Sequence, residues 1–337
     1  MKRTKLVMLA LVASMLVING CGSSDNNSEN SHVVNSHVVN SIDVNSSKLH
    51  PEGIAYNSKD EQFYLSSYYH GKIVSVDTKG NVSLFAEDDS LVTIVGMKVD
   101  VKNNRLLACN SDSGFGKKSS DTTQATLAEV VVYDLSSKKK IQTYDLSDIY
   151  KGGHFINDLT LDTAGNIYVT DSFSPVIYKI TTDGVRSIFS QDDRFMVEVG
   201  QFGLNGIVAS DEYLIVAKSA GAKLFKIALN DGTNIEEISV DKNLNSIDGL
   251  LLNTNNELLV VSNNFISEGY NEAVYKLHSS DEYMSASVVD TFKVSGNVYP
   301  TTLTTIDEEV YLNYSYLPAL ITHQPDVEIF RIEHIEF

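Results

Sequence analysis

The chain has 337 residues, 42% of them hydrophobic and 21% charged, with a formal net charge of −18. Such a composition is globular with ample core, and so acidic a surface repels nucleic acid and anionic lipid headgroups, which removes both from the expected partners. Five prolines, no tryptophan and no sustained 3.6-residue period, against Tyr, Val, Ile and Thr in short runs, predict an all-β chain with few helices.

Residues 1–20 read as a targeting segment, basic over Met1–Lys5 and apolar over Leu6–Ile18. The apolar run is short for a spanning helix, and Cys21 follows the small residue Gly20, which resembles a bacterial lipoprotein signal. The expectation is cleavage before Cys21, lipid on its sulfur, and contact with the membrane through that anchor alone. An ordinary signal peptide or membrane anchor is the other reading. Loss of residues 1–20 removes three basic groups and takes the formal charge from −18 to −21. Gly22, where Asp would signal retention by analogy with enteric bacteria, favours the outer membrane of a bacterial cell envelope.

Residues 21–47 are expected to be a low-complexity tether. Asn-Ser-His-Val-Val at 30–34 recurs at 35–39 and decays to Asn-Ser-Ile-Asp-Val at 40–44. His32 and His37 belong to that repeat and read as linker residues, not as a metal site. With Cys21 lipidated, Cys109 is left alone. It lies in the strand-like Arg105-Leu-Leu-Ala-Cys109-Asn110 and reads as a small buried hydrophobe, not a nucleophile.

From residue 48 to 337 a unit repeats, starting at Glu52, Val95, Asn157, Asn205, Asp248 and Pro300, at intervals of 43 to 62 residues. That spacing predicts a six-bladed β-propeller with four-stranded antiparallel blades. Blade one reads as strands at 53–56, 62–66, 72–77 and 82–86; blade three as 159–162, 167–171, 176–181 and 186–190. The longest interval holds the polar stretch 110–124, which is either a cap over the central channel or an unstructured insertion.

Strand one of each blade lines the axis, so the residue just before it faces the channel at one rim. Glu52, Asn157, Asn205 and Asp248 occupy that place in blades one, three, four and five, while Val95 and Pro300 leave the ring incomplete. Two carboxylates and two amide oxygens suit a hard cation, Ca²⁺ or another divalent ion, with open positions for water or substrate. No Cys/His cluster at zinc spacing is present. The competing account is that Asn-Gly and Asp-Gly only form turns, but Glu52 in Pro-Glu-Gly is a poor turn residue at the equivalent position.

Pro51-Glu52-Gly53, His154-Phe-Ile-Asn157-Asp158, Leu204-Asn205-Gly206 and Ile247-Asp248-Gly249, in this order, resemble the gluconolactonase/regucalcin and paraoxonase superfamily of six-bladed calcium-dependent propellers. The resemblance covers about residues 49–337. It implies a catalytic Ca²⁺ on Glu52, Asn157, Asn205 and Asp248, and hydrolysis of a small lactone or related ester. Separately, a monomer is expected. Gly53 stands where paraoxonase-like members carry an acidic residue, which removes one ligand of a second, structural calcium although Asp158 remains. Val95 stands where many relatives supply a polar substrate contact, so substrate preference does not carry over.

Such a site would polarise a carbonyl and activate water. Asp248 is the candidate for both ligand and base, and His154, three residues before Asn157, is the other candidate base. Asp171 reads as a packing residue away from the axis. The chain has no Gly-x-Ser-x-Gly elbow, and Gly114-Phe-Gly116-Lys-Lys lacks the spacing of a phosphate loop. The alternative of another class is a non-catalytic ligand- or protein-binding propeller with structural calcium. A strictosidine-synthase-like condensing enzyme would lack this metal set, and Glu52 and Asp248 argue against it.

Overall fold

The computed structural model describes residues 38–263 and 272–337. The signal segment, Cys21, His32 and His37 lie outside the described residues. Six sheets follow one another along the chain and form a six-bladed propeller of antiparallel blades. Blade one has strands Ile54–Asn57, Gln62–Ser67, Lys72–Val76 and Val82–Glu87, close to the expected bounds. Blade five carries an extra short strand, Ser239–Val240, parallel to its outer edge.

Burial falls from the axis outward. Strand two of blade three, Ile167–Asp171, is wholly buried, whereas the outer strand of blade two, Lys140–Asp145, is almost wholly exposed. Apolar side chains between adjacent blades form the core. One such cluster joins Leu107, Val130 and Val132 of blade two to Leu159, Val169 and Tyr178 of blade three.

The expected tether, 21–47, is corrected at its C-terminal end. Ser41–Asn45 is a strand, paired antiparallel with Ile329–Ile335 as the outermost strand of blade six. Ile42 and Val44 are buried while their neighbours are exposed. The decayed copy of the pentapeptide is the one that alternates apolar and polar, which is what a half-buried strand needs. The first strand of the domain thus closes the ring against its last.

In the 110–124 stretch, Asn110 and Ser111 end the strand Arg105–Ser111, and 112–124 is a hydrogen-bonded loop. Asp112 is fully buried, and its carboxylate accepts hydrogen bonds from Gly114 N (2.7 Å), Ser119 Oγ (2.6 Å) and Thr123 Oγ1 (2.7 Å). Lys117 N donates to Tyr69 O at 2.7 Å and Lys118 Nζ to Asp88 O at 2.7 Å, which pins the loop onto blade one.

Candidate metal centre

In five blades the pairing of strands one and two slips at the same place: between Ile94 and Met97, Ile156 and Leu159, Leu204 and Ile207, Ile247 and Leu250, and Pro300 and Leu303. Each slip is a bulge, and a bulge re-aims a side chain out of the ladder. The bulged residues include Asn157, Asn205 and Asp248, so the equivalence expected for these three holds. In blade six the residue at this place is Thr301, one beyond the expected Pro300. Thr301 is buried, and its Oγ1 donates to Glu52 O at 2.8 Å.

Glycine after the axial residue lets neighbouring inner strands touch. A Cβ on Gly206 would lie 2.5 Å from Asp248 O, and one on Gly249 2.6 Å from Thr301 O. This close approach holds the axial side chains of adjacent blades together.

Glu52, Asn157, Asn205 and Asp248 are all nearly buried, none more than 7% exposed. The residue at the end of strand two orients three of them. Ser172 Oγ donates to Leu204 O of the next blade (2.6 Å) and so accepts from Asn157 Nδ2 (3.1 Å). Ser219 Oγ donates to Ile247 O (2.6 Å) and accepts from Asn205 Nδ2 (3.0 Å). Asn263 Nδ2 bridges Pro300 O (2.9 Å) and Asp248 Oδ2 (2.5 Å). Because each serine spends its proton on the next blade, each asparagine must turn its N–H to the serine, which leaves its carbonyl oxygen for other partners. Asn157 Oδ1 is buried and has no protein partner.

Two further facts test the donor set. Burial, first, and then the charges of Asp248 and Asp158 push the Glu52 carboxyl well above its ordinary range; all three effects act in the same direction. Burial pushes Asp248 up to about 7 against hydrogen bonds from Asn263 and Asn205. A buried acidic pair with no compensating cation, beside an amide oxygen with no donor, is costly unless an ion or protons satisfy it. Among the described residues no three acidic, His or Cys side chains group closely enough to hold an ion by themselves, so the amide oxygens would have to complete the shell. These hard oxygen donors fit Ca²⁺ or a similar divalent ion. Ser172→Ala, which frees the Asn157 amide to rotate, is expected to weaken Ca²⁺ binding by roughly tenfold in a calorimetric titration.

Asp158 lies on the axis below this set. Its carboxylate accepts from Leu159 N (2.8 Å) and Ile207 N (3.2 Å), and burial, opposed by these bonds and by Lys98, raises it to about 6. It lines a cavity of about 190 Å³ with Lys98, Leu250 and Thr302 at the far end of the channel.

His154 is placed elsewhere, and the expectation of a free base at the rim is corrected. Its ring is 3% exposed, with Nδ1 2.8 Å from Asp171 Oδ2 and 3.2 Å from the Tyr178 hydroxyl. Burial lowers its pKa, but the Asp171 carboxylate and the backbone of Tyr150 and Ser147 outweigh this and raise it. Asp171 also accepts from Phe155 N and Phe173 N, both at 3.0 Å, so this pair shapes the two loops of blade three. Three residues from Asn157, the chain has already left the axis for the body of the blade. His154→Gln is therefore expected to lower Tm by several degrees (a lost buried hydrogen bond costs about 1–3 kcal/mol) while turnover and its pH profile stay near wild type.

Cys109 is fully buried, and burial with the nearby acidic groups pushes its thiol well above the ordinary range, which matches a core role. Sequence reasoning missed Ser172, Ser219 and Asn263. Their common signal is a small or amide residue at the end of strand two in consecutive blades, visible only once the strands are aligned.

No family model matches the chain, and no curated protein sequence matches it. Solved structures do match. The major allergen Mala s 1 of Malassezia sympodialis is similar with a TM-score of 0.68 at 17% identity, over 89% of this chain and 96% of that one. A gluconolactonase from Xanthomonas campestris gives 0.58 at 14% identity, over 87% and 88%. A streptogramin B lyase gives 0.58 at 13% identity, over 88% and 97%. At these identities the likeness establishes the propeller fold, shared by proteins of different activity.

Proposed function

We propose that the protein is a divalent-cation-dependent hydrolase of lactones or related esters, Ca²⁺ being the expected ion, and that it works at the bacterial cell envelope, held by lipid on Cys21. The observation that carries the enzymatic reading is the meeting of two buried, mutually repelling carboxylates with the unpartnered Asn157 Oδ1 at one end of the channel. Glu52, Asn157, Asn205 and Asp248 would hold the ion. When bound, it would supply positive charge to a substrate carbonyl oxygen.

The chain's own groups supply the rest. Asn263, fixed between Pro300 O and Asp248, holds the Asp248 carboxylate in one orientation. With His154 committed to Asp171, Asp248 is the base at the site. In hydrolysis the water oxygen bonds to the carbonyl carbon and its proton passes to Asp248. The ring carbon–oxygen bond then breaks, and the departing oxygen takes up that proton. A site this poorly exposed keeps bulk water from competing. Likeness in fold to a gluconolactonase agrees with this reading.

The test is hydrolysis of a panel of lactones and aryl esters with added Ca²⁺ and with chelator. Turnover that chelator removes and Ca²⁺ restores is the expected result. A Ca²⁺-dependent rise in Tm without turnover of any substrate would favour the non-catalytic, ligand-binding propeller.

A further inference from the structure

Within that reading, the loops over the site bear on the substrate. In a ring of six, blades three and six are opposite. Phe155 and Phe173 belong to the loops of blade three on the site side, and Phe202 to the loop that leads into blade four. Their rings form a triangle with centroids 5.4, 5.6 and 5.5 Å apart, and Phe155 lies 6.3 Å from Tyr68 of blade one. From the opposite side comes α1, a helix of blade six spanning Leu317–Ile321. One contiguous apolar cluster contains Phe155, Tyr68, Tyr299 and Leu317, with Phe173, Phe202 and Ile321 half-buried against it. The same cluster contains Val95, the axial residue of blade two, and Ile156, the neighbour of Asn157, so it reaches down to the axial ring.

The mouth of the site is thus roofed from both sides by hydrocarbon. Among the described residues the polar donors beneath it are committed, Ser172, Ser219 and Asn263 to bonds between blades and Asn313 Nδ2 to Pro51 O and Thr301 Oγ1, while the acceptors Asn157 Oδ1 and Asn313 Oδ1 have no protein partner. A polyhydroxylated ring would press hydroxyls against the hydrocarbon of the roof, where they find no partner, whereas an alkyl or aromatic group is accepted there.

We propose that this aromatic and aliphatic roof selects lactones or esters bearing an alkyl chain or aromatic ring, with Phe173, Phe202 and Ile321 as the recognition surface. The inference rests on the hydrolase reading for the word lactone, but not for the apolar contact itself.

The experiment compares kcat/KM of the full chain on δ-dodecalactone, unsubstituted δ-valerolactone and glucono-δ-lactone. The binding of the non-hydrolysable lactam of δ-dodecalactone is measured alongside by calorimetry. The alkyl lactone is expected to be preferred over the unsubstituted one by tenfold or more, and the polyhydroxylated one to be poorest. Phe173→Ser and, separately, Ile321→Ser should shrink the alkyl preference at least tenfold, chiefly through KM. Val289→Ser on the exposed outer strand of blade five should leave it unchanged. Hydrolysis with no alkyl preference, or with the polyhydroxylated lactone preferred, overturns the inference and spares the hydrolase. Lactam binding that Phe173→Ser abolishes, without hydrolysis of any lactone, supports the apolar roof and removes the hydrolase. Neither hydrolysis nor binding overturns both.

Discussion

Replacing Asp248 by Asn is expected to lower kcat/KM on the best lactone by about 10²–10⁴-fold and, in the absence of cation, to raise Tm. The two effects have one cause. Asp248 sits buried, and burial, with the charge of Asp158 adding to it, pushes its carboxyl up to about 7 against the hydrogen bonds from Asn263 and Asn205. An amide there keeps an acceptor for Asn263 Nδ2 but loses both the negative charge and the base. Function is thereby traded against stability at one residue, as happens where a site is built for a charge the fold itself does not supply. Glu52→Gln should stabilise the cation-free protein in the same way. Steady-state kinetics with and without Ca²⁺, together with scanning calorimetry in chelator, check the pair. Wild-type turnover in Asp248→Asn would remove Asp248 as the base, and a lower Tm in chelator would show that the carboxylates do not repel.

The second large effect is the pH dependence of cation-free stability. The carboxyl of Asp248 is raised from 3.8 to about 7 in the folded state. Between about pH 4 and pH 7 the folded protein therefore holds a proton that the unfolded chain has lost. Its contribution to stability is complete below about pH 4, falls as pH rises, and is gone above about pH 7. Other carboxylates act in the opposite sense: Asp100 and Asp162 are held below their ordinary value by hydrogen bonds to neighbouring Asn and Arg or Tyr side chains and backbone amides that outweigh their burial. The informative quantity is thus the difference between wild type and Asp248→Asn. In chelator, Tm of the wild type relative to the variant should fall from pH 4 to pH 7. Saturating Ca²⁺, at about a thousand times its Kd, adds roughly 4 kcal/mol, equivalent to about 10 °C in a domain of this size. Because ligand carboxylates must be ionised to bind, that rise should be far larger at pH 8 than at pH 5. A difference in Tm that does not vary with pH would refute the buried-acid account.

Some of this was legible in the residues and some was not. Glu52, Asn157, Asn205 and Asp248 could be aligned because each is followed by a Gly or Asp and an apolar strand. Pro300 was the wrong choice in blade six by one residue. Which residue is bulged depends on its partner across the ladder, Pro300 opposite Tyr314 and Leu303 opposite Leu312, and pairing is not written in the local pattern. His154 was misplaced for a related reason. Distance along the chain from Asn157 suggested a shared rim, but Asp171, 17 residues away, draws the ring into the blade.

The repeat interval, the strand composition and the four axial side chains were determined by the sequence alone, because they depend on neighbours within a few residues. Tertiary structure decided what depends on ring closure. Ser41–Asn45 becomes a strand only against Ile329–Ile335, Asn313 meets Pro51 across 262 residues of chain, and Leu317 joins one apolar cluster with Phe155 of the opposite blade. A ring brings together residues that no local period relates, and both the electrostatic pairing of Glu52 with Asp248 and the apolar roof above them arise only when it closes.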